Sequence, residues 1–285
     1  MTLRVALIHM KMRLLAKKSN LEKARKLIKE AAVKGARLVV LPSMLNIAPF
    51  YLYYPPQRAR AIARNQAERI PGPTAEYLSM TAVENGVFIV AGPIIERAGP
   101  RLFLTTLIIA PDGTILAKYR KISINGVDAD LGMSSGKSPY VIHDVERRIG
   151  VMAEDDIYYP EISRSLLLMG ATAIIVSLRI GDPIDKLKLM LLARSIENHV
   201  PVLAVGGALE AMDKYIEVPT LVAVPEKGIV EELYETTDTY LLVEVMSKPE
   251  NSKDLLESMI KAKQFSQVLC KTAKEANIEA NIVNA

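Results

Sequence analysis

Short runs of Val, Ile and Leu recur along this chain between stretches of helical periodicity, and that alternation restricts the fold more than any other feature. A strand that is apolar on consecutive residues offers no face to water. It belongs in a sheet covered on both sides, the α/β arrangement. Val5 to His9 is the first such run. Leu21, Ala24, Leu27, Ile28 and Ala31 follow at helical spacing, with Ser19 or Asn20 expected as N-cap and Gly35 as the stop. The chain re-enters a strand at Leu38 to Leu41 and breaks at Pro42. Ligands in such strand–helix–strand units collect where the second strand ends, which draws attention to Ser43.

The same pattern continues. A Pro/Tyr-rich loop from Pro49 to Pro56 leads through a helical stretch to Pro71-Gly72-Pro73, whose Thr74 is expected to cap a helix from Ala75 to Asn85. Gly86 ends that helix, and Val87 to Ala91 is a strand. Leu102 to Ala110 and Thr114 to Tyr119 flank Pro111-Asp112-Gly113 and read as a hairpin, so the sheet is mixed. A loop from Asn125 to Pro139 precedes strands at Tyr140 to His143 and Ile149 to Ala153, then the acidic triplet Glu154-Asp155-Asp156 and a helix from Pro160. Strand Ala173 to Ser177, helix Pro183 to His199 and strand Val202 to Val205 form another crossover, and strands Thr220 to Val224 and Tyr240 to Val245 complete the core. Residues 1–249 are expected to form one domain. Residues 250–285 read as a helical extension, amphipathic through Leu255, Leu256, Met259, Ile260, Phe265, Val268 and Leu269, that covers the domain or a partner subunit.

Composition narrows the function classes. Of 285 residues half are hydrophobic, enough for a substantial core. The 36 basic and 32 acidic side chains nearly cancel, and Lys11, Arg13, Lys17 and Lys18 form too short a cluster to suggest nucleic acid as a partner. One cysteine, Cys270, excludes an internal disulfide framework, and three scattered histidines show no metal-ligand spacing. No apolar run approaches the roughly 18 residues of a membrane span, and the first residues are too short a run for a signal peptide, so a soluble cytoplasmic protein without cofactor or metal is expected.

Six motifs in one order resemble the nitrilase superfamily, the carbon–nitrogen hydrolases. They are Val39-Val40-Leu41-Pro42, Gly72-Pro73-Thr74, Pro111-Asp112-Gly113, Tyr119-Arg120-Lys121-Ile122, Gly150-Val151-Met152 followed by Pro160-Glu161, and Ala193-Arg194-Ser195-Ile196-Glu197-Asn198. The resemblance implies a four-layer α-β-β-α sandwich of two mixed sheets, usually paired into dimers. It also implies a Glu-Lys-Cys triad in which a thiolate attacks an amide or nitrile carbon, a carboxylate moves the proton and an ammonium stabilises the developing charge.

Position by position, only the lysine keeps its family residue type, as Lys121. The family's glutamate follows the Leu-Pro pair, where this chain has Ser43. Its cysteine falls at Glu154, counting back from Pro160 and Asp156. A supporting glutamate would lie in the loop before Gly136, which offers Asp128, Ala129 and Asp130 instead; two further family asparagines are replaced by Leu104 and Gly206.

These substitutions support two readings from different classes. The first is an inactive homologue that binds a small amide, acid or amine beside Lys121, or serves as an assembly subunit, with Glu154 balancing Lys121 in an ion pair and Ser43 within hydrogen-bond reach. The second is an active hydrolase with rearranged roles: Ser43 as nucleophile, Glu154 as base, Lys121 as electrophile. A cation site on Glu154-Asp155-Asp156 is the weaker idea, because neighbours on a strand point to opposite faces and Lys121 would oppose the ion. Cys270, between apolar neighbours, is expected to be a buried structural thiol. His9 is expected to be a hydrogen-bonded core residue, and Arg194, Glu197 and Asn198 to hold a helix to the sheet, whereas His143 and His199 show no partner pattern. Phe50, Tyr51, Tyr53 and Tyr54 resemble the loop lining the family's pocket mouth.

Overall fold

The computed structural model describes residues 2–143, 147–211, 214–234, 237–245 and 252–275. Two six-stranded mixed sheets lie face to face. The first runs β15(Thr239–Val245)-β1(Leu3–His9)-β3(Leu38–Val40)-β4(Phe88–Ala98)-β5(Arg101–Ile109)-β6(Ile115–Arg120). The second runs β14(Gly228–Leu233)-β13(Thr220–Val224)-β10(Val202–Val205)-β9(Ala173–Ser177)-β8(Ile149–Ala153)-β7(Tyr140–Ile142).

Side-chain alternation makes the layers. In β1, Ala6 and Ile8 face the cluster shared with helices α1 (Lys17–Val33) and α3 (Pro73–Asn85), while Val5 and Leu7 face the other sheet. In β9, Ala173 and Ile175 meet that same inner layer, whereas Ile174 and Val176 face α5 (Pro160–Leu168) and α6 (Ile184–Asn198). Both faces of these two central strands are therefore largely dry, the reason they read as continuous apolar runs. The α/β class and the α-β-β-α layering expected from the sequence both hold.

Several local expectations need correction. Asn20 does not cap α1, which starts at Lys17; its buried side chain instead bonds Arg13 and Asn46 backbone groups. Thr74 lies inside α3 with Gly72 at the N-cap position, and Glu68 accepts from both the Thr74 amide and hydroxyl at 2.8 and 2.7 Å. A third sheet, β12(Lys214–Val218)-β11(Gly207–Ala211)-β2(Lys11–Arg13), was not anticipated. In the sequence, a three-residue strand with one buried side chain, Met12, carries no readable period. Edge strand β14 was missed for a similar reason, since its residues are half or fully exposed.

The last helix, α7 (Ser252–Glu275), packs on α5 and α6 through Leu255, Met259 and Ala262. Cys270 on it is exposed, against the buried thiol expected, because the stripe that docks passes through Leu255 and Ala262 while Val268 and Leu269 stay about 60 % exposed. The expected domain boundary near Pro249 and the end of the extension, residues 276–285, lie outside the described residues.

Candidate active site

Strand ends from both main sheets converge on one buried cluster. Ser43 follows β3 and the Leu41-Pro42 step, where Leu41 N–H donates to Val90 and Met44 N–H to Pro93 at 2.8 and 2.9 Å. Lys121 follows β6 immediately; its amide donates to Leu104 and its carbonyl accepts from Gly136, at 2.8 and 2.7 Å. A Cβ on Gly136 would lie 2.0 Å from the Arg120 carbonyl oxygen, so the chain passes Lys121 too closely for any side chain there. Glu154 directly follows β8 and opens a 3₁₀ turn, Glu154–Tyr158, with φ at 49°, a left-handed value unusual for a non-glycine residue.

The three positions singled out from the sequence do meet. Ser43 Oγ donates to Glu154 Oε1 at 2.5 Å, and Lys121 Nζ donates to Glu154 Oε2 at 3.1 Å. All three residues are buried.

Three further partners of that set were not placed beside Lys121 and Glu154 from sequence. Asp128 sits on a short helix, α4 (Gly126–Leu131), within what read as a loop. Its amide donates to the Asn125 side chain and its carboxylate accepts from Asn125 N–H, which aims Oδ2 at Lys121 Nζ, 2.6 Å away. Asp128 thus sets a carboxylate against Lys121 from the loop in which the resemblance implied a supporting glutamate. Asp155 also accepts from Lys121 Nζ. The strand alternation invoked to separate it from Glu154 does not apply, because the strand stops at Ala153 and both residues lie in the turn. Asp156 does turn away, to accept from Tyr119 Oη at 2.5 Å, Ser123 and the Ala153 amide.

Arg179 is the third, and sequence reasoning missed it. Two residues past β9, it has a buried guanidinium whose Nη2 lies 2.7 Å from carboxylate oxygens of Asp128, Glu154 and Asp155. The one available signal was its place just after a strand at the carboxyl edge of the sheet. Carboxylate oxygens of Asp128, Glu154 and Asp155 lie within 4.8 Å of one another, but Lys121 and Arg179 already lie among them and balance two of the three negative charges.

The charges sustain one another. Burial pulls the Lys121 ammonium pKa down, but Glu154, Asp128 and Asp155 more than offset that and hold it above its usual value. Burial raises the Asp155 carboxyl, and Arg179 with Lys121 brings it below the usual range. Burial pushes the Tyr51 phenol well up against the opposing pull of Arg179, whose guanidinium carbon lies 5.4 Å from the ring centre. The Tyr/Pro loop expected at a pocket mouth thus reaches the cluster through Tyr51.

The other candidates hold the fold. His9 is fully buried, its ring nitrogens 3.1 Å from Thr220 Oγ1 and Glu217 Oε1. Arg194 binds the Ile157 carbonyl and Glu197, and Asn198 donates to Ser163 and to the Arg194 carbonyl, tying α6 to α5 and the turn after β8. His199 ends α6 in a left-handed conformation. Leu104 is buried core, with its carbonyl supporting Lys121. Gly206 is demanded by close approach, since a Cβ there would lie 2.0 Å from the Val218 carbonyl oxygen.

The structure is thus a sandwich of two mixed sheets with a hydroxyl, a carboxylate and an ammonium joined at its strand ends. The carbon–nitrogen hydrolase family model matches residues 4–248, and the chain belongs to that family, within the nitrilase superfamily. It is 31 % identical over 210 residues to a protein named omega-amidase NIT2 from Xenopus tropicalis, covering 70 % of this chain and 73 % of that one. It is 27 % identical over 223 residues to omega-amidase NIT2 of Homo sapiens, covering 75 % and 77 %. The crystal structure of an amidase from Nesterenkonia sp. superposes with a TM-score of 0.73 over 86 % of this chain and 90 % of that one, at 21 % identity, a likeness of fold.

These relatives overturn the expectation of an inactive chain that works only through ligand binding or subunit assembly. Proteins named as amidases match most of its length, and replacing the thiol and the family carboxylate has not left the site without a hydroxyl, a carboxylate and a cation in contact. No helix among the described residues is long and apolar enough to cross a membrane.

Proposed function

We propose that this chain hydrolyses the carbon–nitrogen bond of a small amide with Ser43 as nucleophile, Glu154 as general base and acid, and Lys121 as the cation beside the reacting group. The observation that carries the reading is the Ser43 Oγ to Glu154 Oε1 hydrogen bond of 2.5 Å, with Lys121 on the other Glu154 oxygen. An alcohol is a weak nucleophile until a base takes its proton, and this contact is the geometry that step requires.

Ser43 Oγ forms a bond to the amide carbon as its proton passes to Glu154. The carbon–nitrogen bond breaks, and the nitrogen leaves as ammonia or an amine after taking the proton back from Glu154. Water, deprotonated by Glu154, then splits the seryl ester to the free acid and regenerates the hydroxyl. Lys121 and Arg179 oppose the negative charge that builds on the acyl oxygen in both steps. The amidase names of the relatives and the left-handed backbone at Glu154, a form of strain often found at functional sites, support the same reading. The reading includes residues 1–249 as the catalytic unit with 250–285 as an extension, a paired chain and a cytoplasmic setting, supported by the exposed Leu256, Ile260 and Phe265 of α7 and the single cysteine.

The test is ammonia release from a panel of short amides, carbamoyl compounds and nitriles, with Ser43→Ala as the blank. Turnover that falls on the order of 10³-fold or more in the variant is expected. A silent wild-type chain, or equal rates in the two proteins, overturns the reading.

A further inference from the structure

Two buried hydrogen-bond donors beside the catalytic cluster have nothing to donate to. Arg179 spends Nε and Nη2 on carboxylates: both donate to Asp155 Oδ2, at 3.0 and 2.7 Å, and Nη2 also reaches Asp128 Oδ1 at 2.7 Å. Its Nη1 is buried without a hydrogen-bond partner, and so is the Tyr51 hydroxyl. The two side chains adjoin, with the guanidinium 5.4 Å from the Tyr51 ring centre, yet no hydrogen bond of acceptable geometry joins them. Buried donors are nearly always satisfied, so a pair left open next to a reactive group is a place for an acceptor.

Charge decides which acceptor. Asp128, Glu154 and Asp155 already outnumber the two cations, Lys121 and Arg179, that face them. A carboxylate ligand would add negative charge that no cation in the cluster is left to balance, at a heavy desolvation cost. A carbonyl oxygen accepts two hydrogen bonds without that charge. We propose that Arg179 Nη1 and the Tyr51 hydroxyl form a two-donor seat for the carbonyl oxygen of a small neutral amide. This rests on the amide-hydrolase reading above and deepens it, selecting uncharged amides and giving Arg179 and Tyr51 direct contact with substrate.

Tyr51→Phe keeps the ring against Arg179 and removes one donor only. Calorimetric titration of propionamide and of propionate into the Ser43→Ala protein, with and without Tyr51→Phe, reads the seat without turnover. Propionamide is expected to bind, about three- to tenfold more weakly once Tyr51 is Phe, with propionate weaker than propionamide in the parent. Equal propionamide affinity in the two proteins, propionate binding as tightly as propionamide, or no propionamide binding at all overturns the proposal. Tyr51-dependent binding in a chain whose wild type releases no ammonia supports the seat while retiring the hydrolase reading.

Discussion

Among single residues, the proposed function makes the site an exchange of roles more than a loss of parts. Ser43 and Glu154 stand where the family resemblance implies a carboxylate and a thiol, and they are joined by a hydrogen bond that serves as the nucleophile-to-base contact in the proposed reaction. Lys121 is the residue on which this depends most. It reaches Asp128, Glu154 and Asp155, and its removal leaves three buried carboxylates facing Arg179 alone. Lys121→Ala is therefore expected to lower unfolding stability by about 3–5 kcal/mol, the cost of breaking a buried ion pair from one side. Denaturant titration checks this, and a loss under about 1 kcal/mol would show that the cluster is not held by its charges. Ser43→Ala removes no charge and is for that reason the cleaner blank for activity. Lys121 and its two companion positions were legible from motif spacing; Arg179 was not, because a lone arginine after an apolar strand has no pattern until the fold brings distant carboxylates to it.

Among the elements, strands buried on both faces were read closely, β8 and β9 to the residue, because continuous apolar runs bounded by turn residues leave little freedom. Elements with few buried side chains were not, β2, β12 and the short helix bearing Asp128, and neither was β11, which is largely buried but follows β10 after a single residue. Helix α7 shows the opposite error. Its apolar residues suggested a buried Cys270, but one stripe docks on α5 and α6 while the thiol faces out. Alkylation of the native protein is expected to modify one thiol per chain at close to the rate of the denatured protein. Protection by an order of magnitude or more would place Cys270 beneath another surface.

For the molecule as a whole, acid stability depends on ion pairs that tie strands together. Glu96 on β4 accepts from Arg120 and Lys118 on β6 and from Thr105 on β5, bracing three strands of the first sheet. Burial would raise its carboxyl pKa, but these partners hold it down at about 2, against the usual 4.5. A carboxyl depressed in the folded state adds stability that is complete above the unfolded value and lost as pH falls from about 4.5 toward about 2. Allowing for solvent around the partly exposed Lys118 and Arg120, the contribution is on the order of 2 kcal/mol. Unfolding midpoints of wild type and Glu96→Gln are expected to differ at pH 7, to draw together below about pH 4.5 and to converge toward about pH 2. A gap that stays constant with pH would assign the stabilisation to packing.

Sheets covered on both sides were already implicit in the order of residues, since runs apolar on consecutive positions offer no face to water, and the family resemblance carried by the motifs implied the four layers and the strand ends that bear Ser43, Lys121 and Glu154. The motifs already placed Ser43, Lys121 and Glu154 within reach of one another, but what else they touch, Asp128, Asp155 and Arg179, was settled by the folded chain. Hydrogen bonds and ion pairs depend on ångström-scale approach between segments far apart in the chain, such as Asp128 and Arg179, and local pattern carries no record of that distance. The open donors of Arg179 and Tyr51 belong to the same class: an unsatisfied buried group exists only once the chain has closed around it.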